Sequence, residues 1–218
     1  MDDLDWIEAA RLAMPERAML TGITRLQELG LEFGPLRPFH FVVSGDLHLD
    51  LDDIFLHRTI LLPPLDDDGV TPAAAFIAYA AEARVVDAIK VGDWLLHHRH
   101  MTLEELLSLA FRDRWRPGSR EVRWIAQHLD AGSGSLKESE SRAVLVFAGL
   151  PRPEANKDIR AAGGELLARG DLVYLQWRLA VEYEGRQHAF DLRQFNRDID
   201  RYRDLRDDGW RYVQVTNE

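Results

Sequence analysis

The sequence contains no cysteine. That excludes a disulfide framework, a thiol nucleophile and iron–sulfur or cysteine–zinc sites, and it fits a reducing compartment. Lysine is scarce, three residues against 24 arginines, a bias better explained by a GC-rich genome than by chemistry. No apolar run approaches the ~20 residues that a membrane span needs. The start, Met1-Asp2-Asp3-Leu4-Asp5, lacks the basic residues and apolar stretch of a secretory signal. A cytoplasmic protein with no membrane partner is therefore expected. Also missing are a phosphate-binding glycine loop, a nucleophile elbow and a dinucleotide fingerprint. What remains is 218 residues, 46% apolar and 29% charged. That is the composition of an ordinary globular protein with one large domain or two small ones.

The net charge of −10 argues at first against nucleic acid. Its distribution changes that reading. Residues 1–134 carry 13 basic and 22 acidic side chains, a balance of −9, whereas residues 135–218 carry 14 and 15, a balance of −1. A divalent cation held by carboxylates of the second part would leave that part neutral or slightly positive. The acidic first part is expected to contact the second and to limit nonspecific DNA binding.

The sharpest break in composition is Ala131-Gly132-Ser133-Gly134-Ser135, a flexible stretch. It divides a mixed α/β region, residues 1–131, from a second domain, residues 135–218. In the first region, residues 5–13, 15–29, 72–90, 102–111 and 119–130 read as helices. Residues 39–43 and 54–62 read as strands, and Asp66–Gly69 as a turn. Thr102 is an N-cap followed by first-turn acids. In the second region Ser135 and Glu138 form an S-x-x-E capping box that opens a helix to Gly149. Its expected apolar face is Ala143, Val144, Val146 and Phe147. Gly163-Gly164 marks a hairpin between residues 156–161 and 165–168. Strands follow at 171–175 and 178–184, then a helix at 192–208 and a strand at 210–216. The order in the second region is helix, three strands, helix, strand, and the fold class is α/β of the α+β kind.

The constellation richest in chemistry is Asp171, Glu182 and Glu184. Side chains alternate along a strand, so Glu182 and Glu184 share one face while Val181 and Tyr183 share the other, suited to a core under a helix. Asp171 lies on a strand expected to pair with theirs. Like charges so close repel, and a hard divalent cation, Mg²⁺ or Mn²⁺, relieves the repulsion. A solvated acidic strand face explains the same spacing. His188, beyond Gly185, is tunable near neutral pH as a base or a phosphate donor, or is merely exposed. Glu138 has the capping role, and Arg142 one turn later offers an i,i+4 ion pair or, with Arg197 and Arg201, a contact to nucleic acid. Asp198 and Arg201 share a helical face, on which Arg197 or Arg201 meets either solvent or a phosphate backbone. His97-His98-Arg99-His100 reads as a solvated helix end, where positive charge suits the dipole. Arg112, Arg114, Arg116, Arg120 and Arg123, interleaved with Trp115 and Trp124, suit either DNA contact or balance of the acidic first part.

These pieces carry a resemblance. The segment Ser135-Leu-Lys-Glu138-Ser-Glu-Ser-Arg142, then Ala148-Gly149-Leu150-Pro151-Arg-Pro153, comes first. Asp171-Leu172, Val181-Glu182-Tyr183-Glu184-Gly185 with Gln187-His188, and Asp198-Ile-Asp-Arg201 with Leu205 and Gly209-Trp210 follow in order. Over residues 135–216 the chain resembles a domain of unknown function related to very-short-patch repair endonucleases, within the PD-(D/E)XK nuclease superfamily. The resemblance implies a restriction-endonuclease-like fold and a Mg²⁺-dependent (or Mn²⁺-dependent) endodeoxyribonuclease. It implies Asp171 as central metal ligand, Glu182 and Glu184 at the E-x-D or E-x-K pair, Glu138 leaning in from the helix, and His188 assisting the water. The superfamily lysine is replaced by Glu184, where this branch usually has aspartate, and Gln187 precedes a single histidine. Residues 17–110 resemble, more faintly, the middle of actinobacterial proteins grouped with abortive-infection type IV antitoxins. The partners implied are DNA, a homodimer mate or a toxin–antitoxin-type protein. A non-catalytic DNA-binding or regulatory module retaining the nuclease fold is the alternative.

Overall fold

The computed structural model describes residues 2–161, 163–184, 203 and 205–216. The chain is α+β and divides into two compact units, one ending at Leu129 and one starting at Asp130.

The first unit begins with α1 (Asp3–Ala13), started by a reciprocal capping box between Asp2 and Asp5. Residues 15–29 are not one helix. Met19–Leu20 forms a short strand, β1, and only Gly22–Glu28 is helical, as α2. The reason is a distant partner: β1 pairs antiparallel with β2 (Phe39–Ser44), Met19 facing Val42. Strand β2 in turn runs parallel to β3 (Ile54–Thr59), with Phe39 opposite Ile54 and Val42 opposite His57. Strand β3 stops at Thr59, short of the expected end at 62. One face of this sheet is apolar: Phe39 and Phe41 bury against Ile7, Ala10 and Met14 of α1. Alternation sends His40 and Val42 to the other face.

The expected helix at 72–90 is two, α3 (Pro72–Ala80) and α4 (Val85–His97). No proline or glycine lies between them, at residues 81–84. Gly118, at φ 88°, comes so close to the end of α3 that an added Cβ would lie 1.7 Å from the Ile77 carbonyl oxygen and 3.1 Å from the Ala81 nitrogen. The Asp66–Gly69 turn forms as expected, Asp66 accepting from the N–H groups of Asp68 and Gly69. It is tied to α2 by Arg25, buried, which donates to Asp66, Glu28 and the Val70 carbonyl. Helix α5 (Leu103–Arg112) starts at Thr102, the N-cap read in the sequence, which with Glu105 forms a full capping box, and α6 (Ser119–Ile125) follows, ending in a 3₁₀ turn at Ala126–His128. Helix α4 ends at the histidine cluster, where the Trp94 ring packs against His98 and His100.

The second unit starts with α7 (Leu136–Phe147) and builds a four-stranded sheet in the order β4-β5-β6-β7. These strands are Glu154–Arg160, Leu166–Tyr174, Leu179–Glu184 and Arg211–Thr216. Strands β4 and β5 are antiparallel, as are β5 and β6, while β6 and β7 are parallel. Strand β5 runs unbroken through residues read as two strands. Gly170 is no turn: a Cβ there would lie 2.7 Å from Val173 Cγ2 and 3.2 Å from Ile159 Cδ1, so its lack of a side chain makes room for the core. Both faces of the central strands are covered. Leu172, Tyr174 and Val181 pack with Leu145 of α7. Ile159, Ala168, Val173 and Ala180 pack with Leu205 and Trp210. The buried stripe of α7 is Ser139, Arg142 and Ala143, whereas Val144 and Phe147, expected inside, are exposed. Small Ser139 and Ala143 let the helix approach the sheet closely. Of the expected helix at 192–208, residues 203 and 205–207 are helical, and 192–202 and 204 lie outside the described residues. No helix among the described residues is long and apolar enough to cross a membrane.

Candidate functional site

Strands β5 and β6 pair through Leu172–Val181, Val173–Ala180 and Tyr174–Leu179, and then part. Beyond that point β5 continues with β4, and β6 continues with β7 as far as Glu184 opposite Thr216. The sheet therefore forks, and the first residue on each branch is a carboxylate, Asp171 on one and Glu182 on the other. One more step of the antiparallel register sets the two opposite each other, and directly opposed residues share a face. That face is the one carrying Val173 and Ala180, away from α7.

Each carboxylate is held. Asp171 Oδ2 accepts the Tyr183 N–H at 3.0 Å, taking the place of a ladder bond across the fork. Glu182 is buried, 8% exposed, and its Oε2 accepts the Tyr212 hydroxyl at 2.9 Å. Tyr212 reaches it because β7 pairs with β6 so that Tyr212 lies beside Ala180 and Gln214 beside Glu182. On the other side, the β4 register brackets Asn156 opposite Asp171, with Ala155–Leu172 and Lys157–Gly170 as flanking pairs. Asn156 sits at φ 49°, a left-handed conformation that asparagine tolerates better than most residues. A polar row thus crosses the sheet: Asn156, Asp171, Glu182, Gln214.

Glu138 joins that row at its edge. Ser135 Oγ accepts the Glu138 N–H at 3.2 Å, so half of the expected capping box is present. The other half is different: the Glu138 carboxylate accepts from the Gly134 N–H at 2.8 Å and from Asn156 Nδ2 at 2.7 Å. Asn156 Nδ2 also donates to the Gly132 carbonyl. Glu138 is therefore coupled to the row through Asn156. Arg142, expected to contact nucleic acid, is only 1% exposed under α7, which takes it off the solvent surface. Glu184 closes β6. His188, Arg197 and Arg201 lie outside the described residues.

The donors brought together are hard oxygens, the chemistry that suits Mg²⁺ or Mn²⁺. Among the described residues no three histidine, aspartate or glutamate side chains are grouped to hold a metal ion. A pair of carboxylates still fits Mg²⁺, which commonly binds one or two carboxylates and completes its shell with water and phosphate. Sequence reasoning passed over Asn156 and Tyr212. A polar, strand-poor asparagine within a strand pattern is a weak signal for the first. Nothing local marks the second.

Comparison with known proteins adds relatives of unassigned role. Two uncharacterized proteins, from two strains of Mycobacterium tuberculosis, are each 30% identical over 147 residues, 67% of this chain and 54% of theirs. The chain spans about half the length of the curated relatives it matches. No protein-family model matches it, and no solved structure does.

Proposed function

We propose that the second unit is a divalent-metal-dependent nuclease with a restriction-endonuclease-like core, hydrolysing phosphodiester bonds of DNA in the cytoplasm. The observation that carries the reading is the end of the β5–β6 ladder at Leu172–Val181, where the next residue on each strand is a carboxylate, Asp171 and Glu182. Two carboxylates where a ladder ends repel unless a cation lies between them. Asp171 and Glu182 would hold Mg²⁺ or Mn²⁺, with Glu184 next along β6. Such an ion polarises the phosphate and lowers the pKa of bound water. The protein's own work is orientation. The Tyr183 N–H and the Tyr212 hydroxyl aim the carboxylates, and Glu138 with Asn156 braces the edge of the row.

A second reading has its own support. Each of these carboxylates already accepts a hydrogen bond that holds the sheet together, so the row also serves a non-catalytic DNA-binding or toxin–antitoxin-type regulatory module. A cleavage assay separates the two. Supercoiled, linear and single-stranded DNA are incubated with Mg²⁺ or Mn²⁺ and the protein, beside Asp171→Asn and Glu182→Gln. Metal-dependent cleavage by the parent, lost in both variants, supports the nuclease. Intact substrates, together with no heat of Mn²⁺ binding by calorimetry, favour the regulatory module.

A further inference from the structure

A cleft of about 390 Å³ opens in the first unit, lined by β3 and the residues just after it, by α3 and by the turn between α5 and α6. Its wall is largely aliphatic, from Ala74, Ile77 and Ala78 of α3. At one side stands Trp115, 51% exposed. The Arg116 guanidinium lies 4.4 Å from its ring centroid, and Arg116 is itself fixed by Asp113 Oδ2 at 2.9 Å and by the carbonyls of Leu61 and Leu62 at 3.0 and 2.9 Å. A large aromatic surface, backed by a held guanidinium, is thus half exposed beside a concavity.

The polar groups of the cleft differ from end to end. His57 and Glu82 supply hydrogen-bonding edges. His57 Nε2 lies 2.9 Å from His40 Nδ1, so one imidazole donates to the other. Burial keeps both rings below the ordinary histidine pKa, with Glu82 opposing the shift. In a neutral hydrogen-bonded pair Nδ1 of His57, the ring that lines the cleft, is a donor or an acceptor according to the tautomer adopted. Besides Arg116, whose guanidinium is held by Asp113 and two carbonyls, the cleft has a second cation, exposed Arg58, its guanidinium near His48 and Asp46. Flat apolar wall, guanidinium-backed indole, switchable hydrogen-bonding edge and nearby cation together match a heteroaromatic ring that carries a phosphate.

We propose that this cleft binds a nucleotide, its base against Trp115 and its phosphate toward Arg58, either as a free mononucleotide or as one residue of a single strand. The site goes beyond the carboxylate fork and does not depend on it. The test uses the full chain in EDTA, where metal-dependent cleavage is silent. AMP and GMP are titrated by calorimetry, and a fluorescein-labelled 12-nucleotide single strand by anisotropy. Saturable binding of at least one probe is expected. Trp115→Ala weakens it about ten-fold or more, as loss of a base-stacking aromatic does, and Trp115→Phe restores most of it. Arg58→Ala weakens it and flattens its salt dependence. Trp124→Ala, an exposed indole not lining the cleft, leaves it unchanged. Binding of the strand alone assigns the site to single-stranded nucleic acid, and binding of the mononucleotides alone assigns it to a free ligand. Absence of saturable binding by all probes, or wild-type affinity in a folded Trp115→Ala protein, overturns the proposal. Failure of the cleavage assay alone leaves it intact.

Discussion

Tyr212→Phe removes one oxygen and keeps the ring, so it tests the fork with little disturbance of packing. The Tyr212 hydroxyl donates at 2.9 Å to Oε2 of Glu182, which is only 8% exposed. A hydrogen bond to a charged group contributes about 1.5–3 kcal/mol. If Glu182 holds a divalent ion, losing that bond frees the carboxylate to rotate away from its metal-binding orientation. Partners of this kind typically cost ~10–100-fold in metal affinity or activity when removed. That ratio corresponds to about 1.4–2.8 kcal/mol, the size expected of the lost bond. The assay is Mn²⁺ titration by calorimetry with cleavage rate measured in parallel, and far-UV circular dichroism to confirm the fold. The expected result is a ~10–100-fold weaker Mn²⁺ constant with helix and strand signals retained. Unchanged Mn²⁺ affinity and unchanged cleavage would refute the assignment of Glu182 as a ligand. A lower melting temperature alone would leave the tyrosine as a brace for the sheet.

Two further outcomes concern the first unit. Gly118→Ala places a methyl group where 1.7 Å separates it from the Ile77 carbonyl, at φ 88°. Left-handed strain of about 1–2 kcal/mol and overpacking of about 1–3 kcal/mol add to a loss that denaturant titration detects easily, and a change within 0.5 kcal/mol or so contradicts the close approach of α3 and α6. The second outcome is pH dependence. His40 and His57 are held below the ordinary histidine value by burial, and His100 likewise, with His98 and Arg25 adding to its shift. The unfolded chain therefore binds protons more readily, and stability falls as pH drops from about 6.5 toward the lowered folded values. His57→Gln should flatten the melting temperature between pH 7 and 5, and an unaltered slope would show that the pair does not control it.

Signals that depend on residues a few positions apart were legible from the chain itself. The Thr102 N-cap, the Asp66–Gly69 turn and the Gly163-Gly164 hairpin each rest on a local hydrogen bond or a local backbone preference, and each formed as read. The alternation of Val181 with Glu182 likewise put the apolar side chain under α7. The two mixed layers of an α+β chain followed from the same patterns. What the tertiary structure decided lies between residues that meet only after folding. The short β1 pairs with Val42, Gly170 within β5 packs against Ile159, and the end of α3 meets Gly118, none of these partners near in sequence. The same holds for Tyr212 on Glu182, Asn156 opposite Asp171 and His40 beside His57. Residue type and spacing set what a segment prefers by itself, but a strand's neighbour and register come from burying the whole apolar surface at once. That global choice brought the carboxylates to one fork and set Trp115 beside its cleft.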